Sequence, residues 1–435
     1  MKFNHIFSIC FILTLFSSCD KPINPDVLAT VGSREVTSFE FAGTYSNKLK
    51  NSDIQDSELE RANHLDFLIR NKLFSEAAIQ NKLSLDSIAH RYIYLDSIKF
   101  LRDELYYDII MKDTIMISDA TLRQHYEWSY RECDMRQLLF NSKEEADSIY
   151  LHLSVNPDAF DSISIELFSK NTTDKSNGDM GWVTYNTIDP NLENTVYKLE
   201  IGAFSKPIQS SIGWHILKKI DERNHPILNE NEFEELKEKI KLTVQQKYFQ
   251  IQSDQFVNQL LLSKNILMDD RLIQDVSLAI YQLNSLANNP DTVNVKRKKG
   301  IMNNLVSNLR DVSHVPMAEY NGGQFTVQNY FDGVQSIPPN QLSSSPQMAF
   351  YQLIRNQILS EEGGKRGYGS HTNVKRKLQD TKDNFLSRAY LSSYFKGSQQ
   401  AHFQKSTLDK IADSLRQTIK VQSYPKHLSQ LFELN

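Results

Sequence analysis

The spacing of apolar residues changes twice along this chain, and that change most constrains its fold. From Ser57 to about Ile115, apolar residues recur every three or four positions, which predicts amphipathic helices. From residue 131 to 222 the pattern becomes short strand-like runs separated by glycine turns. Helical spacing returns at Asn229 and continues, apart from loops around 335–346 and 363–373. The sequence therefore predicts an α+β fold with a small α/β domain between mostly helical units.

Local signals place several of these elements. Val27–Val36 alternates around a Gly-Ser turn, which predicts a strand–turn–strand. Thr37 followed by Glu40 is typical of a capping box at a helix start, and Ser118 is expected to begin a helix that runs to Tyr130. In the middle region we expect strands at Arg136–Phe140, from Trp182 and at Gly213–Ile220, a turn at Asn177–Gly181, and helices at Lys143–Leu153 and Asp189–Leu199.

The N-terminus has the features of an export signal. Lys2 precedes an apolar run from Ile6 to Phe16 that is too short to span a bilayer. Small residues then lead to Cys19, and this arrangement resembles a bacterial lipobox, with Phe16 where leucine is usual. An ordinary signal peptide cleaved nearby is the alternative. In either case the chain is expected to leave the cytoplasm.

Cysteine count and charge exclude several classes of function. Removal of Cys10 and acylation of Cys19 leave Cys133 as the one free thiol, so an intrachain disulfide is not expected. The net charge of −4 argues against nucleic acid as a partner. No Walker-type loop, HExxH motif or zinc-type Cys/His pairing occurs, so neither a nucleotide, a cofactor nor a metal is expected.

Five spaced segments of the middle region resemble the parvulin family of prolyl isomerases. These are Met135–Phe140, Gly178–Trp182, Ile188–Glu193, Leu199–Ile208 and Ile212–Leu217, which are similar to the first strand, glycine turn, short helix, following loop and closing strand of that family. The resemblance implies a domain over 131–222 that accelerates rotation about X–Pro bonds. Rotation of such a bond is slow when unaided, because its barrier is about 18–20 kcal/mol.

The resemblance also implies which residues form the site. It places the proline pocket at Met180, Ile188 and Leu192. It places the polar catalytic positions at His215, Ser210, Gln137 and Asn171.

Three of these positions depart from the family. Gln137 replaces a histidine, Asn171 replaces a cysteine or aspartate, and Leu192 replaces a phenylalanine, which predicts weakened turnover. Asn171 was aligned through a loop of variable length, so Asp174 is an alternative. The pocket residues could also be plain core, and His215 a structural histidine bonded to Ser210.

The helical N-terminal unit, the parvulin-like domain and the long helix after it, roughly residues 27–262, resemble the SurA/PrsA/PpiD class of envelope foldases. We expect a signal peptide at 1–18, a tether at 19–26, a helical chaperone unit at 27–130, the parvulin-like domain at 131–222 and a helical region at 223–435. The last region is expected to hold a degenerate repeat of the first unit. Residues 29–37 are echoed at 318–326, 68–76 at 353–361, and 100–101 at 385–386.

These observations predict an envelope folding factor with peptidyl-prolyl isomerase activity. Its expected partners are unfolded envelope proteins with X–Pro segments, and a lipid on Cys19 is expected to hold it at a membrane that faces the periplasm. Two alternatives stay open: a holdase chaperone with a weak or inactive isomerase domain, and a structural lipoprotein of a membrane complex.

Overall fold

The computed structural model describes residues 26–112, 115–169, 176–210, 212–225, 229–288, 305–338, 346–395 and 405–433. The predicted leader, Cys19, Asn171 and Asp174 lie outside these ranges. The chain divides into two compact units, one formed by residues 1–100 with 369–435 and one by residues 101–368. Among the described residues, no helix is both long enough and apolar enough to cross a membrane.

Helices dominate the described chain. They are α1 (Ser38–Lys50), α2 (Glu58–Gln80), α3 (Ser87–Tyr106), α4 (Asp119–Trp128), α5 (Lys143–Val155), α6 (Phe160–Ser169), α7 (Pro190–Lys198), α8 (Glu230–Ser263), α9 (Asp270–Asn288), α10 (Val327–Gly333), α11 (Pro346–Lys365), α12 (Thr372–Tyr394), α13 (Lys405–Arg416) and α14 (Pro425–Glu433). A short π-helical segment, Tyr107–Met111, extends α3. The predicted start of α4 is confirmed, because the Ser118 side chain accepts a hydrogen bond from the backbone N–H of Thr121.

The strands form three antiparallel sheets. They are β1 (Val27–Val31), β2 (Arg34–Thr37), β3 (Arg131–Phe140), β4 (Asp179–Val183), β5 (Ile208–Ser210), β6 (Gly213–Asn224), β7 (Leu267–Met268), β8 (Pro316–Tyr320), β9 (Gly323–Thr326) and β10 (Val421–Ser423). The strand orders are β10-β1-β2, β4-β3-β6-β5 and β7-β8-β9. The α+β class with a parvulin-like domain among helical units is thus confirmed.

The first unit packs its small sheet against helices from both ends of the chain. The predicted strand–turn–strand is present as β1 and β2, and α2 packs along α12. Its core combines Leu28, Phe41 and Leu73 with Ile411 and Ala412, which all lie buried together. The C-terminal segment therefore completes the core of the N-terminal unit, although more than 300 residues separate them in the sequence.

One cap in this unit differs from the prediction. Thr37 does cap α1 by accepting a hydrogen bond from the backbone N–H of Glu40 at 3.1 Å. The carboxylate of Glu40 does not return to the cap. It pairs with the buried Lys72 amine at 3.2 Å, because that cation has no access to water and needs anionic partners. Asp380 and Asp383 of α12 supply two more.

The second unit contains the middle sheet and a second small sheet. The middle sheet has α5 and α6 on one face and α7 on the other, while α4 packs on the long helix α8. The predicted loop at 363–373 is wrong for residues 363–365, which continue α11. Gly363 suits that helix because a Cβ there would lie 2.7 Å from the carbonyl oxygen of Leu101.

The echoed segments occupy matching elements. Residues 29–37 and 318–326 are both hairpins, and each ends in a threonine that caps the next helix, Thr37 and Thr326. Residues 68–76 lie in α2 and 353–361 in α11, while 100–101 lie in α3 and 385–386 in α12. The order of hairpin, capped helix and two long helices is the same at both places.

Candidate functional site

Two neighbouring strands bring the polar candidate residues together. In the antiparallel pair β3–β6, Gln137 lies opposite Leu217 and Leu139 lies opposite His215. Because side chains alternate across a sheet, Gln137 and His215 project from the same face. That face packs against α7, with Met135 and Leu217 fully buried beneath Leu192.

Gln137, His215 and Ser210 form a continuous hydrogen-bonded network, which we call the polar triad. Ser210 Oγ lies 2.7 Å from His215 Nε2, and His215 Nδ1 lies 2.8 Å from Gln137 Oε1. The backbone N–H of Ile212 donates to Ser210 Oγ at 3.1 Å. His215 is 1% exposed and Ser210 is 8% exposed, so water does not compete strongly for these bonds.

The network fixes the protonation of the imidazole. An amide oxygen can only accept, so Nδ1 of His215 carries the proton and donates to Gln137, while Nε2 accepts from the Ser210 hydroxyl. Burial lowers the pKa of His215, because it disfavours the imidazolium, and the charge of Asp189 opposes this only in part. The ring is therefore neutral at pH 7.

Asp189 is a site residue that sequence reasoning missed. It caps α7 by accepting a hydrogen bond from the backbone N–H of Asn191 at 2.8 Å, and its negative charge acts on His215. The parvulin resemblance offered Asn171, with Asp174 as the acidic alternative, for the position opposite His215, and it assigned no role to Asp189. The Asp189-Pro190 pair was a usable signal, since aspartate before proline is typical of a helix start.

The three predicted pocket residues lie on the face that carries His215. Met180, Ile188 and Leu192 belong to one apolar cluster, which also includes Ile208 of β5. Leu192 is 4% exposed, whereas Met180 and Ile188 are only partly buried. The structure thus assembles an apolar surface on that face, with Leu192 as its buried floor. Whether it binds proline stays a prediction.

The glycine turn of the predicted motif holds β3 in place. The backbone N–H of Gln137 donates to the carbonyl of Gly178 at 2.8 Å. Gly178 has φ +77°, and a Cβ there would lie 2.3 Å from the carbonyl oxygen of Gln137. Only glycine fits this contact, so the turn directly fixes the backbone of a candidate catalytic residue.

A buried ion pair connects α7 to the long helix α8. Glu193 and Lys247 form it, with side chains 2% and 8% exposed, and the ammonium also lies 3.6 Å from the ring centroid of Tyr185. Nearby, burial lowers the pKa of His125 to about 4, with the charge of Lys247 adding to the effect. The pair was not predicted, although a glutamate among the apolar residues Leu192 and Val196 of α7 hinted at a buried charge.

Within the described residues, no group of three or more His, Cys, Asp or Glu side chains is arranged to hold a metal ion. Gln137, His215 and Ser210 are instead a neutral hydrogen-bonded set beside apolar side chains. Such a set can orient a peptide and stabilise a polarised or twisted amide.

Comparisons with known proteins agree with this geometry. Residues 137–221 match the family described as Rotamase, the PPIC-type PPIASE domain. The chain is 23% identical over 232 residues to the foldase protein PrsA of Caldanaerobacter subterraneus subsp. tengcongensis, covering 46% of this chain and 76% of the relative. It is 25% identical over 129 residues to PrsA of Bacillus subtilis, covering 28% of this chain and 44% of that relative.

Among solved structures, the parvulin of Nitrosopumilus maritimus is 27% identical to this chain over the matched part. The match covers 21% of this chain and 97% of that chain, with a TM-score of 0.19. The family match includes the strand residues that form the polar triad and the helix that carries Leu192, and the PrsA match of 232 residues is longer than the family match. Residues 137–221 are therefore a PPIC-type, or parvulin, peptidyl-prolyl isomerase domain, carried by a chain that is similar to the PrsA foldases.

Proposed function

We propose that this protein is a folding factor of the cell envelope that catalyses cis–trans isomerisation of X–Pro bonds in unfolded clients. The polar triad beside the apolar surface of Met180, Ile188 and Leu192 is the observation that carries the proposal. Isomerisation makes and breaks no covalent bond, so the site has to bind proline and favour the twisted amide.

Gln137 is the donor in this proposal. Its Oε1 accepts from His215, and within the described residues its partly exposed Nε2 donates no hydrogen bond. When the X–Pro amide twists, conjugation is lost and the lone pair of the prolyl nitrogen becomes an acceptor. An N–H held near that nitrogen stabilises the transition state more than the planar ground state.

His215 and Ser210 act as positioning residues in this mechanism. Both imidazole nitrogens are engaged inside the domain, so the ring orients the Gln137 amide rather than contacting the client. Asn171, which follows α6 in the sequence, is proposed to add a further hydrogen bond to the client. Met180, Ile188 and Leu192 receive the proline ring, with the smaller Leu192 in place of the family's aromatic floor.

The test is refolding of a substrate protein whose rate is limited by a native cis proline. Gln137→Glu keeps an oxygen for His215 but removes the N–H donor, so it is expected to abolish acceleration. Gln137→His keeps an N–H donor at this position and is expected to retain or increase the acceleration of refolding. Gln124→Glu, on the exposed face of α4, makes the same chemical change away from the site and is the matched control. Full activity in Gln137→Glu would contradict the donor role.

A holdase function without turnover is the second candidate. The neutral triad, in which both imidazole nitrogens of His215 are engaged internally, and the replacement of the aromatic floor by Leu192 favour it. The wild-type protein would then suppress aggregation of an unfolded client and leave proline-limited refolding unchanged. Isomerase activity that appears in Gln137→His but is absent from the wild type would support this candidate over the first.

The proposed location follows from the N-terminal sequence and the similarity to PrsA foldases. A lipid on Cys19 would anchor the chain at a membrane, where unfolded secreted or outer-membrane proteins emerge. Metabolic labelling with a fatty acid, compared between wild type and Cys19→Ser, tests the anchor. Isolation of one fixed membrane complex, with no client binding, would favour the structural-lipoprotein alternative.

A further inference from the structure

A groove of about 850 Å³ begins at the polar triad and continues away from it within the second unit. One wall is the end of β5, from Pro207 to Ser210, together with Trp214. The other wall is made by α8 between Asp254 and Leu262 and by α11 between Met348 and Arg355. The volume lies in the upper part of the range of roughly 300–1,000 Å³ that is typical of ligand sites.

Apolar side chains in this groove are exposed to an unusual degree. Leu262 is 77% exposed, Met348 is 54% exposed and Tyr351 is 40% exposed, and they come from two different helices that face one concave surface. Single exposed apolar residues are ordinary, but several that converge in one groove favour a binding surface for an apolar partner.

The groove also favours an extended partner. β5 is the outer strand of the order β4-β3-β6-β5, so one edge of it faces away from its sheet partner. An extended peptide can bind beside such an edge through main-chain hydrogen bonds and place alternate side chains in the groove.

One charged side chain in the groove, that of Asp254, is unpaired among the described residues. Asp254 is half-buried, and it makes neither a hydrogen bond nor an ion pair with any part of the chain that the structure describes. Burial raises its pKa, the charge of Asp189 adds to this effect, and Arg355 opposes it. A cation on the partner would relieve both the desolvation and the repulsion.

We infer that this groove binds the part of an unfolded client that adjoins the X–Pro bond at the triad, and that it selects apolar residues with one lysine or arginine. The inference rests on the proposed function, because the shared residue Ser210 links the groove to the isomerase site. From Asp254 to Leu262, α8 rises about 12 Å, which matches about four residues of extended chain.

The experiment compares the affinities of two peptides for the full mature chain. The short peptide holds one X–Pro bond, and the long one adds about four residues on each side, alternately apolar and including one lysine. The long peptide is expected to bind at least about tenfold more tightly. Leu262→Asp and Met348→Asp are each expected to remove most of that advantage. Leu242→Asp, on the same helix and 59% exposed, lies outside the groove and should preserve it.

A second pair of peptides tests the charge. Replacing the lysine by glutamate should weaken binding to the wild type about tenfold, and Asp254→Asn should reduce that preference to about twofold or less. Charge selectivity that is unchanged in Asp254→Asn would overturn this part of the inference.

Three outcomes would overturn the groove itself. The first is equal affinity of the two peptides for the wild type. The second is an equal loss of affinity for the long peptide in Leu242→Asp and in Leu262→Asp. The third is a change in the sedimentation mass of Leu262→Asp without any change in peptide affinity. The last outcome would assign the groove to a second copy of the chain. Turnover of the short peptide is measured separately, so its absence would count against the isomerase function and not against the groove.

Discussion

The ion pair of Glu193 and Lys247 provides a quantitative test of how the site is held. It lies almost fully buried, and the backbone N–H of Asn186 also donates to Glu193. Since α7 carries both Asp189 and Leu192, the pair fixes one side of the candidate site onto α8. We predict that Lys247→Met strongly destabilises the second unit, because it leaves a buried carboxylate without a cation.

The expected magnitude follows from the burial. Loss of one partner of a buried ion pair typically lowers the free energy of unfolding by about 3–5 kcal/mol. Replacing both partners by uncharged groups often changes that free energy little. The double variant Glu193→Gln/Lys247→Met should therefore recover most of the loss, since glutamine can still accept from Asn186. The coupling free energy between Glu193 and Lys247 should be several times the roughly 0.2–1 kcal/mol that is typical of exposed ion pairs.

Tryptophan fluorescence during urea unfolding measures this directly. The three tryptophans of the chain, Trp128, Trp182 and Trp214, all lie in the second unit, so the signal excludes the first unit. With a urea m-value of about 2 kcal/mol/M, Lys247→Met should lower the midpoint by about 2 M. Lys241→Met, on the same helix with its side chain 44% exposed, should change stability by less than about 0.5 kcal/mol.

Two results would refute this reasoning. A loss of less than about 1 kcal/mol in Lys247→Met would mean that water reaches the carboxylate, in conflict with its burial. A double variant as unstable as Lys247→Met would mean that the lysine stabilises the unit through its cation–π contact with Tyr185 and not through its ion pair with Glu193.

Three further predictions concern pH and backbone geometry. Because burial lowers the pKa of His125 to about 4, the unfolded chain takes up a proton at higher pH than the folded chain does. The free energy of unfolding of the second unit should therefore drop by roughly 1–2 kcal/mol between pH 6.5 and 4. Urea unfolding of His125→Gln should show a smaller drop over the same range. Burial raises the pKa of Glu40 to about 7 despite the opposing charge of Lys72, so the first unit should lose stability as pH rises from 4.5 to 7. At pH 8, Glu40→Gln should raise the opening free energy that hydrogen exchange measures in α2 by about 1–2 kcal/mol. An opening free energy equal to that of the wild type would contradict the raised pKa. Gly178→Ala should cost at least about 2 kcal/mol in urea unfolding and reduce isomerase activity, because its Cβ collides with the Gln137 carbonyl; a wild-type midpoint would contradict this.

Local features of the fold could be predicted from the sequence because their causes are local. The cap at Ser118, the hairpin that ends at Thr37 and the strand around His215 depend on residues within a few positions of each other. The family resemblance then assigned Gln137 and His215 to one site, and the paired strands β3 and β6 carry them on the same face of the sheet.

The parts that could not be predicted depend on partners far away in the sequence. The Glu40 carboxylate leaves its predicted role in the cap because Lys72, Asp380 and Asp383 meet in one buried cluster. Apolar spacing predicted helical structure in the region of α12 but not that α12 packs on α2. Likewise, nothing near Glu193 in the sequence identified Lys247 as its partner.

The chemistry of the site explains why substitutions at family positions need not remove its function. Rotation about an X–Pro bond needs no proton transfer and no nucleophile, so a neutral amide at Gln137 can serve if it is held rigidly. His215 and Ser210 provide that rigidity, and Asp189 supplies a negative charge from α7. In the proposed pocket, the smaller floor at Leu192 gives proline itself less binding energy. An extended client segment beside β5 and α8 would compensate, because binding at a distance from the bond still places that bond at the donor.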